Sequence, residues 1–289
     1  MIEIRELHKY FGEVKAVNGI SFTVQKGEIF GFLGPNGAGK STTIRCLMDF
    51  IRPTSGSLTI AGLDAQRDSV AIKRKVGYVS PDVHLYPHWT GKQHLDFVER
   101  LNSGGSWRKE LVKRFSLKET VRAKNLSSGN KQKLGLILAM MGKPELLILD
   151  EPTVALDPLL QNLFYESLKT YQQEGGTVFI SSHNLSEIER ICDRVAIIRQ
   201  GKLADVDNVA TLRKRKMHMV TLRLAGKAAM PDPTEFGKVE IISRGSDQLT
   251  FRYTGEINDL VKRLARYEIA DLEIAHASLE DVFLEFYKN

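Results

Sequence analysis

An α/β fold with a parallel sheet, followed by a smaller α+β domain, is what this 289-residue sequence predicts. Three observations carry that expectation. Between residues 28 and 198, short apolar runs alternate with helix-period stripes, the pattern of strands buried on both faces and joined by helices. A glycine-rich stretch, residues 34–42, sits where the first of these strands turns into the first of these helices. Beyond the basic run Arg213, Lys214, Arg215 and Lys216, the pattern becomes that of a separate α+β unit of about seventy residues.

The elements follow in order. Ile2 and Ile4 alternate with Glu3 and Arg5, and Ile20, Phe22 and Val24 alternate with Ser21 and Thr23, so the first sixty residues read as short strands of an antiparallel β subdomain. Residues 28–33 form a buried strand, and Ile44, Leu47, Met48 and Ile51 make the stripe of the helix after it. Residues 57–60, between turn residues Gly56 and Gly62, and residues 76–79 are further strands. From about 83 to 141 the character becomes helical. Thr90 caps a helix carrying Leu95, Phe97, Val98 and Leu101, residues 102–105 break it, and a basic helix resumes at Trp107. Leu134, Ile137, Leu138 and Met141 stripe the next helix, which Pro144 ends.

Residues 145–150 are a buried strand with a carboxylate at its C-terminal end, where ligands sit in open α/β sheets. Pro158 opens a helix with Leu160, Leu163, Phe164 and Leu168 on one face, and Gly175 and Gly176 stop it. Residues 177–182 and 195–198 are strands around a helix with Leu185, Ile188 and Ile191. The expected divisions are residues 1–208, with the helical subdomain inside, a basic linker at 209–216, and a small accessory domain at 217–289. In that last domain Val220, Leu222 and Leu224 alternate, as do Leu249, Phe251 and Tyr253. Ile257, Leu260, Val261 and Leu264 are spaced as a helix, Leu272 and Ile274 mark a strand, and Ser278 with Asp281 caps a final helix bearing Leu279, Val282, Phe283 and Phe286.

Composition excludes several classes. With 42% hydrophobic residues there is still no apolar run near the ~18 residues of a membrane span. The chain enters its first strand at once, without a signal peptide, and its two cysteines lack C-x-x-C spacing, as expected of reduced thiols in the cytoplasm. A net charge of +6 suits nucleic acid, anionic lipid or a nucleotide and is too dispersed to choose among them. No aromatics cluster with the basic residues, so no nucleic-acid partner is expected.

Gly34, Pro35, Asn36, Gly37, Ala38, Gly39, Lys40, Ser41 and Thr42 match the template G-x-x-x-x-G-K-[ST]. A strand, a glycine-rich turn and a helix N-terminus aim backbone N–H groups and a positive dipole end at one point, which suits phosphate. Lys40 adds a charge at the β- and γ-phosphates, and the Ser41 hydroxyl sits on Mg2+. Asp150 and Glu151 lie about 110 residues downstream, Asp150 as a Mg2+ ligand and Glu151 orienting or deprotonating the attacking water. Alone, that pair would read as a helix cap; with the loop it reads as chemistry. His183 follows a strand that should neighbour the Asp150 strand, within hydrogen-bonding reach of a γ-phosphate. Tyr10 or Phe11 could stack on a purine, the alternative being an aromatic that covers a turn.

Over residues 1 to about 205 the sequence resembles the ATP-binding subunits of ABC transporters. Residues 34–42 look like that family's Walker A, Leu126, Ser127, Ser128, Gly129 and Asn130 like its signature, and residues 146–151 like its Walker B. Ala155, Leu156, Asp157 and Pro158 resemble its D-loop, and His183 its switch histidine. The resemblance implies a P-loop (RecA-like) core and ATP with Mg2+ as cofactors. It implies two cassettes dimerising head-to-tail, so that Ser127 and Gly129 of one touch the γ-phosphate held by the other and Asp157 couples the sites. Phe11 matches the adenine-stacking aromatic, with Tyr10 second. Two departures stand out: Ser80, Pro81 and Asp82 occupy the place of a Gln that contacts metal and water, and Asn130 replaces the commoner Gln. Asp82 is the candidate to take over the metal contact through its carboxylate.

Residues 85–95, Asn130 and the tail around residues 278–283 resemble the exporter-type branch, which includes bacterial antibiotic- and drug-resistance ATPases. The expected protein is thus an ATPase at the cytoplasmic face of the membrane, with a separately encoded permease and a second ATP-binding subunit, identical or pseudo-symmetric. A soluble ABC-type ATPase and an importer subunit are the alternatives. Chromosome and repair ATPases carry a long coiled coil between loop and signature, where this chain has about 85 residues without sustained heptads. GTP switches carry an Asn/Thr-Lys-x-Asp reader that this chain lacks.

Overall fold

The computed structural model describes residues 1–101, 106–214, 217–225, 231–237 and 239–276. The chain divides into two compact units, Met1–Asp207 and Asn208–Asn289. The first contains β1 (Ile2–Phe11), β2 (Val14–Val24), β3 (Ile29–Leu33), α1 (Lys40–Leu47), β4 (Ser55–Ile60), β5 (Leu63–Asp64), α2 (Ser69–Lys73) and β6 (Val76–Val79). It continues through α3 (Gly91–Leu101), α4 (Arg108–Arg114), α5 (Ser128–Met140), β7 (Leu146–Asp150), α6 (Pro158–Gln173), β8 (Thr177–Ser182), α7 (Leu185–Ile191), β9 (Arg194–Arg199) and β10 (Lys202–Asn208).

Two sheets build this unit. One is antiparallel, in the order β2-β1-β4-β5, and the other has the order β10-β9-β3-β8-β7-β6. Strands β9, β3, β8, β7 and β6 run parallel to one another. Every residue of β3, β7 and β8 is buried, which explains why their sequences read as continuous apolar runs. The sheets meet through aromatic rings: Phe22 of β2 stacks on Phe30 of β3, with centroids 5.5 Å apart, and on Phe179 of β8 at 6.1 Å. On the opposite face Gly31 admits α7, since a Cβ there would lie 2.9 Å from Ile188 Cδ1.

Two local readings change. Gly56 is not a turn residue but lies inside β4 with φ +93°, where a Cβ would stand 2.3 Å from Glu6 O, beside a register irregularity between Arg5 and His8. The bulge needs glycine's backbone freedom, and nothing in the local pattern reveals it. Helix α5 also buries Leu136 and Met140 beyond the one stripe expected, because it packs against β6 as well as against α3 and α4. A helix covered on two sides loses its polar face.

The second unit holds α8 (Val209–Lys214), β11 (Met217–Leu224), β12 (Val239–Arg244), β13 (Gln248–Thr254), α9 (Ile257–Leu264) and β14 (Ile269–His276). Residues 209–214, expected as linker, are thus helical, with Val209 and Leu212 buried one turn apart. The sheet order is β12-β13-β11-β14, all antiparallel, and Val220, Leu222, Phe251 and Leu260 sit in its core. The expected final helix, with Ser278, Asp281 and Phe283, and the break at 102–105 lie outside the described residues.

Candidate active site

The site forms at the C-terminal ends of β3, β7 and β8. Gly34 leaves β3 against the neighbouring backbone, and a Cβ would lie 2.3 Å from Ile198 O. Gly39, with φ +112°, would place one 2.5 Å from Ala16 O. The loop closes on itself through Ala38 N donating to Pro35 O at 3.2 Å. It is pinned from outside by Gly34 N donating to Ser182 O at 3.2 Å and Gly201 N donating to Ala38 O at 3.0 Å. Both glycine approaches and all three bonds hold the backbone in one shape before any ligand arrives.

Lys40, only 5% exposed, folds back over the loop. Its Nζ donates to Gly34 O at 2.5 Å and Pro35 O at 3.0 Å, and stands 3.1 Å from Glu151 Oε1. That carboxylate oxygen is buried and accepts no bond of hydrogen-bonding geometry among the described residues, so its contact with Lys40 is one of charge. Glu151 Oε2 lies 2.7 Å from His183 Nδ1, a hydrogen bond when Nδ1 carries the proton. The Glu151 backbone is left-handed, φ 49°, which costs a residue with a Cβ about 1–2 kcal/mol. Its N–H holds the bend by reaching Ser181 O at 3.2 Å and Ser181 Oγ at 3.1 Å. Strain of this kind persists where neighbours enforce it, commonly at functional sites.

Asp150 is 1% exposed and takes a hydrogen bond from Ser181 Oγ at 2.6 Å, with the Ser41 hydroxyl also acting on its carboxylate. Burial pushes its carboxyl up from the ordinary range, and those two hydroxyls pull it back down. Ser41 and Asp150 thus offer two adjacent oxygen donors. Mg2+ takes few protein ligands and completes its shell with phosphate and water, so this pair fits it.

A cleft of ≈ 380 Å3 joins these groups, lined by Ala16, residues 35–37 and 39–42, Pro81, Glu151, Val154 and His183. Most of the residues singled out from sequence therefore converge. Others stand apart. Ser127 is exposed at the N-cap of α5, taking Asn130 N at 3.3 Å and Asn130 Nδ2 at 3.1 Å, and neither it nor Gly129 lines the cleft. Gly129 instead abuts the loop after β7, where a Cβ would meet Ala155 O at 2.9 Å. Asp157 is exposed and caps α6, its Oδ1 accepting from Leu160 N at 3.0 Å. Phe11 is 49% exposed at the end of β1, with Lys9 Nζ 4.8 Å from its ring centroid. Tyr10 is tied down by hydrogen bonds to Asn18 Oδ1 and His8 Nδ1. Asp82 is exposed and outside the cleft lining, where Pro81 stands instead. Ser181, which donates to the Asp150 carboxylate and accepts from the Glu151 backbone N–H, went unread; two serines ending an apolar strand directly before His183 were the available signal.

A phosphate loop between strand and helix, backed by a buried acid pair at the end of β7, one strand removed in the same sheet, defines a P-loop ATPase. The family described as "ABC transporter" matches residues 17–154. The linearmycin resistance ATP-binding protein LnrL of Bacillus subtilis (strain 168) is 37% identical over 222 residues, 74% of this chain and 71% of the relative. The Nod factor export ATP-binding protein I of Burkholderia lata is 32% identical over 98% of this chain and 95% of its own length. A solved ATP-binding subunit of an ABC transporter superposes with a TM-score of 0.69 at 27% identity, covering 74% of this chain and 92% of that one. The chain belongs to the ABC transporter family, among its ATP-binding subunits. Among the described residues no helix is long and apolar enough to cross a membrane.

Proposed function

We propose that this chain powers a membrane exporter from the cytoplasmic face, two cassettes closing head-to-tail around two ATP. The observation that carries the proposal is a split set of motifs. Lys40, Glu151 and His183 share one cleft, while Ser127 and Gly129 sit elsewhere on the same unit, with Ser127 exposed. A helix N-terminus suited to anions finds its phosphate when a second cassette supplies it. Export, rather than import or transport-free hydrolysis, draws support from the resistance and export named for the relatives. A separately encoded permease is the membrane partner, and the second cassette is this chain again or a pseudo-symmetric relative.

In this reading the loop amides and Lys40 hold the phosphates, Phe11 stacks on the adenine, and Asp157 links the two sites. Glu151 takes a proton from the attacking water, and His183 holds the carboxylate in place through Oε2. Ser41 and Asp150 would hold Mg2+, which supplies neutralisation of phosphate charge when bound. Phosphoryl transfer asks mainly for such positioning and charge compensation.

Trans closure is tested by sedimentation of the hydrolysis-deficient Glu151→Gln chain. ATP is expected to convert monomer to dimer, and Gly129→Asp in the same background to block the conversion while the loop still binds ATP. Full dimerisation of that double variant contradicts the trans role. The Asp82 contact has its own test. Its exposed position predicts that Asp82→Ala leaves the Mg2+ dependence of hydrolysis unchanged, and a shifted dependence restores Asp82 to the metal set.

A further inference from the structure

Glu187 is a buried carboxyl that the chemistry above does not use. It lies on α7 and is 3% exposed. Burial pushes its carboxyl up from the ordinary glutamate range, and the nearby Glu151 charge adds to the effect. A carboxyl in such a place destabilises the fold unless its bonds compensate. Oε2 takes the Ser182 hydroxyl at 2.6 Å and the Thr153 hydroxyl at 3.4 Å. Oε1 is buried and accepts no hydrogen bond among the described residues; the Tyr165 phenol acts electrostatically on the carboxyl from outside hydrogen-bonding geometry.

The two hydroxyls belong to the two segments that carry the reacting pair. Thr153 follows Glu151 by two residues, and Ser182 immediately precedes His183. Ser182 Oγ also accepts the Asn184 N–H at 2.9 Å, so one hydroxyl bridges over the His183 backbone and is itself anchored on Glu187. Asn184 Oδ1 in turn caps α7, taking Ser186 N at 3.0 Å and Glu187 N at 3.4 Å, which ties the anchor to the segment it holds. The 2.7 Å contact between His183 and Glu151 lies just beyond the ends of β8 and β7, and Glu187 bonds on both sides of it, through Ser182 and Thr153.

We infer that Glu187 is a positioning residue that fixes His183 against Glu151 by clamping Ser182 and Thr153. The inference rests on the proposed roles of Glu151 and His183. It assigns Glu187 no contact with nucleotide, because α7 is not among the cleft's lining elements.

The test compares Glu187→Ala and Glu187→Gln in the full chain, with ATP binding, turnover and the His183 ring signal measured on each. The signal is assigned in a histidine-labelled NMR spectrum by its loss in His183→Ala. Glu187→Ala is expected to bind one ATP per chain with near-normal affinity while kcat falls at least ~10-fold, the scale of a misplaced catalytic group. Its His183 signal moves. Glu187→Gln keeps an acceptor for both hydroxyls and is expected to retain most of the turnover with the signal in place. Unaltered kcat and an unmoved His183 signal in Glu187→Ala overturn the inference. So does a Glu187→Gln chain as slow as Glu187→Ala, which would assign the effect to charge instead of position. Should Glu187→Ala fail to fold, Ser182→Ala takes its place, and wild-type turnover with an unmoved signal there overturns the clamp equally. Glu151→Gln run alongside separates the two levels: if it still hydrolyses ATP, the underlying site reading fails; if it does not, only the clamp is being judged.

Discussion

Glu151→Gln is expected to lower ATP turnover by at least ~10²-fold, the lower range for a positioned general base, while the nucleotide still binds. The amide has the shape of the carboxylate but cannot take a proton. Oε2 faces His183 at 2.7 Å, and an amide oxygen can still accept from Nδ1 there, so the local packing survives the change. Oε1 faces Lys40 at 3.1 Å, and replacing it removes a negative charge beside the bound phosphates. ATP affinity should therefore stay level or rise, and the loss should appear in kcat alone. Phosphate release at saturating ATP, with equilibrium dialysis for affinity, separates the two quantities. A wild-type rate would remove Glu151 as the base and leave its strained backbone, φ 49°, without a chemical reason.

The parts of this site that sequence made legible are those whose chemistry is contiguous in the chain. Residues 34–42 carry their own turn, their own charge and the helix that follows, so spacing alone identifies them. Asp150 and Glu151, which alone would read as a helix cap, were readable because the phosphate loop upstream calls for a metal ligand and a base. What stayed hidden depends on pairings across the sheet. The Ser181 bonds to Asp150 and Glu151 require β7 and β8 to be neighbours in a definite register, Asp150 opposite Ser181. The Gly56 bulge depends on an approach to Glu6 across the antiparallel sheet, and the second face of α5 depends on which elements flank it. The edge strand β12 went unread as well: its residues are half-buried or exposed, so no alternation marks it. A period reports which faces are buried, not what buries them.

Lys40→Ala tests the loop from the binding side. The ammonium is nearly buried and makes three contacts: two carbonyls of its own loop and the Glu151 carboxylate. ATP competes for that charge by offering phosphate oxygens in place of carbonyls, and hydrogen bonds to charged groups are worth about 1.5–3 kcal/mol each. Removing the ammonium loses them and also leaves Glu151, a largely buried carboxylate, facing the phosphates without its cation. Both effects act in the same direction, so Kd for ATP should rise ~100-fold or more, as 1.4 kcal/mol is tenfold. Their separation is measurable, because Glu151→Gln eliminates the second effect and not the first. Adding Glu151→Gln should raise ATP affinity more in the Lys40→Ala chain than in the otherwise unaltered chain, a non-additivity expected of groups in contact. An equal gain in both chains would mean that Lys40 and Glu151 do not sense each other across 3.1 Å, and normal affinity in Lys40→Ala would contradict the phosphate loop itself.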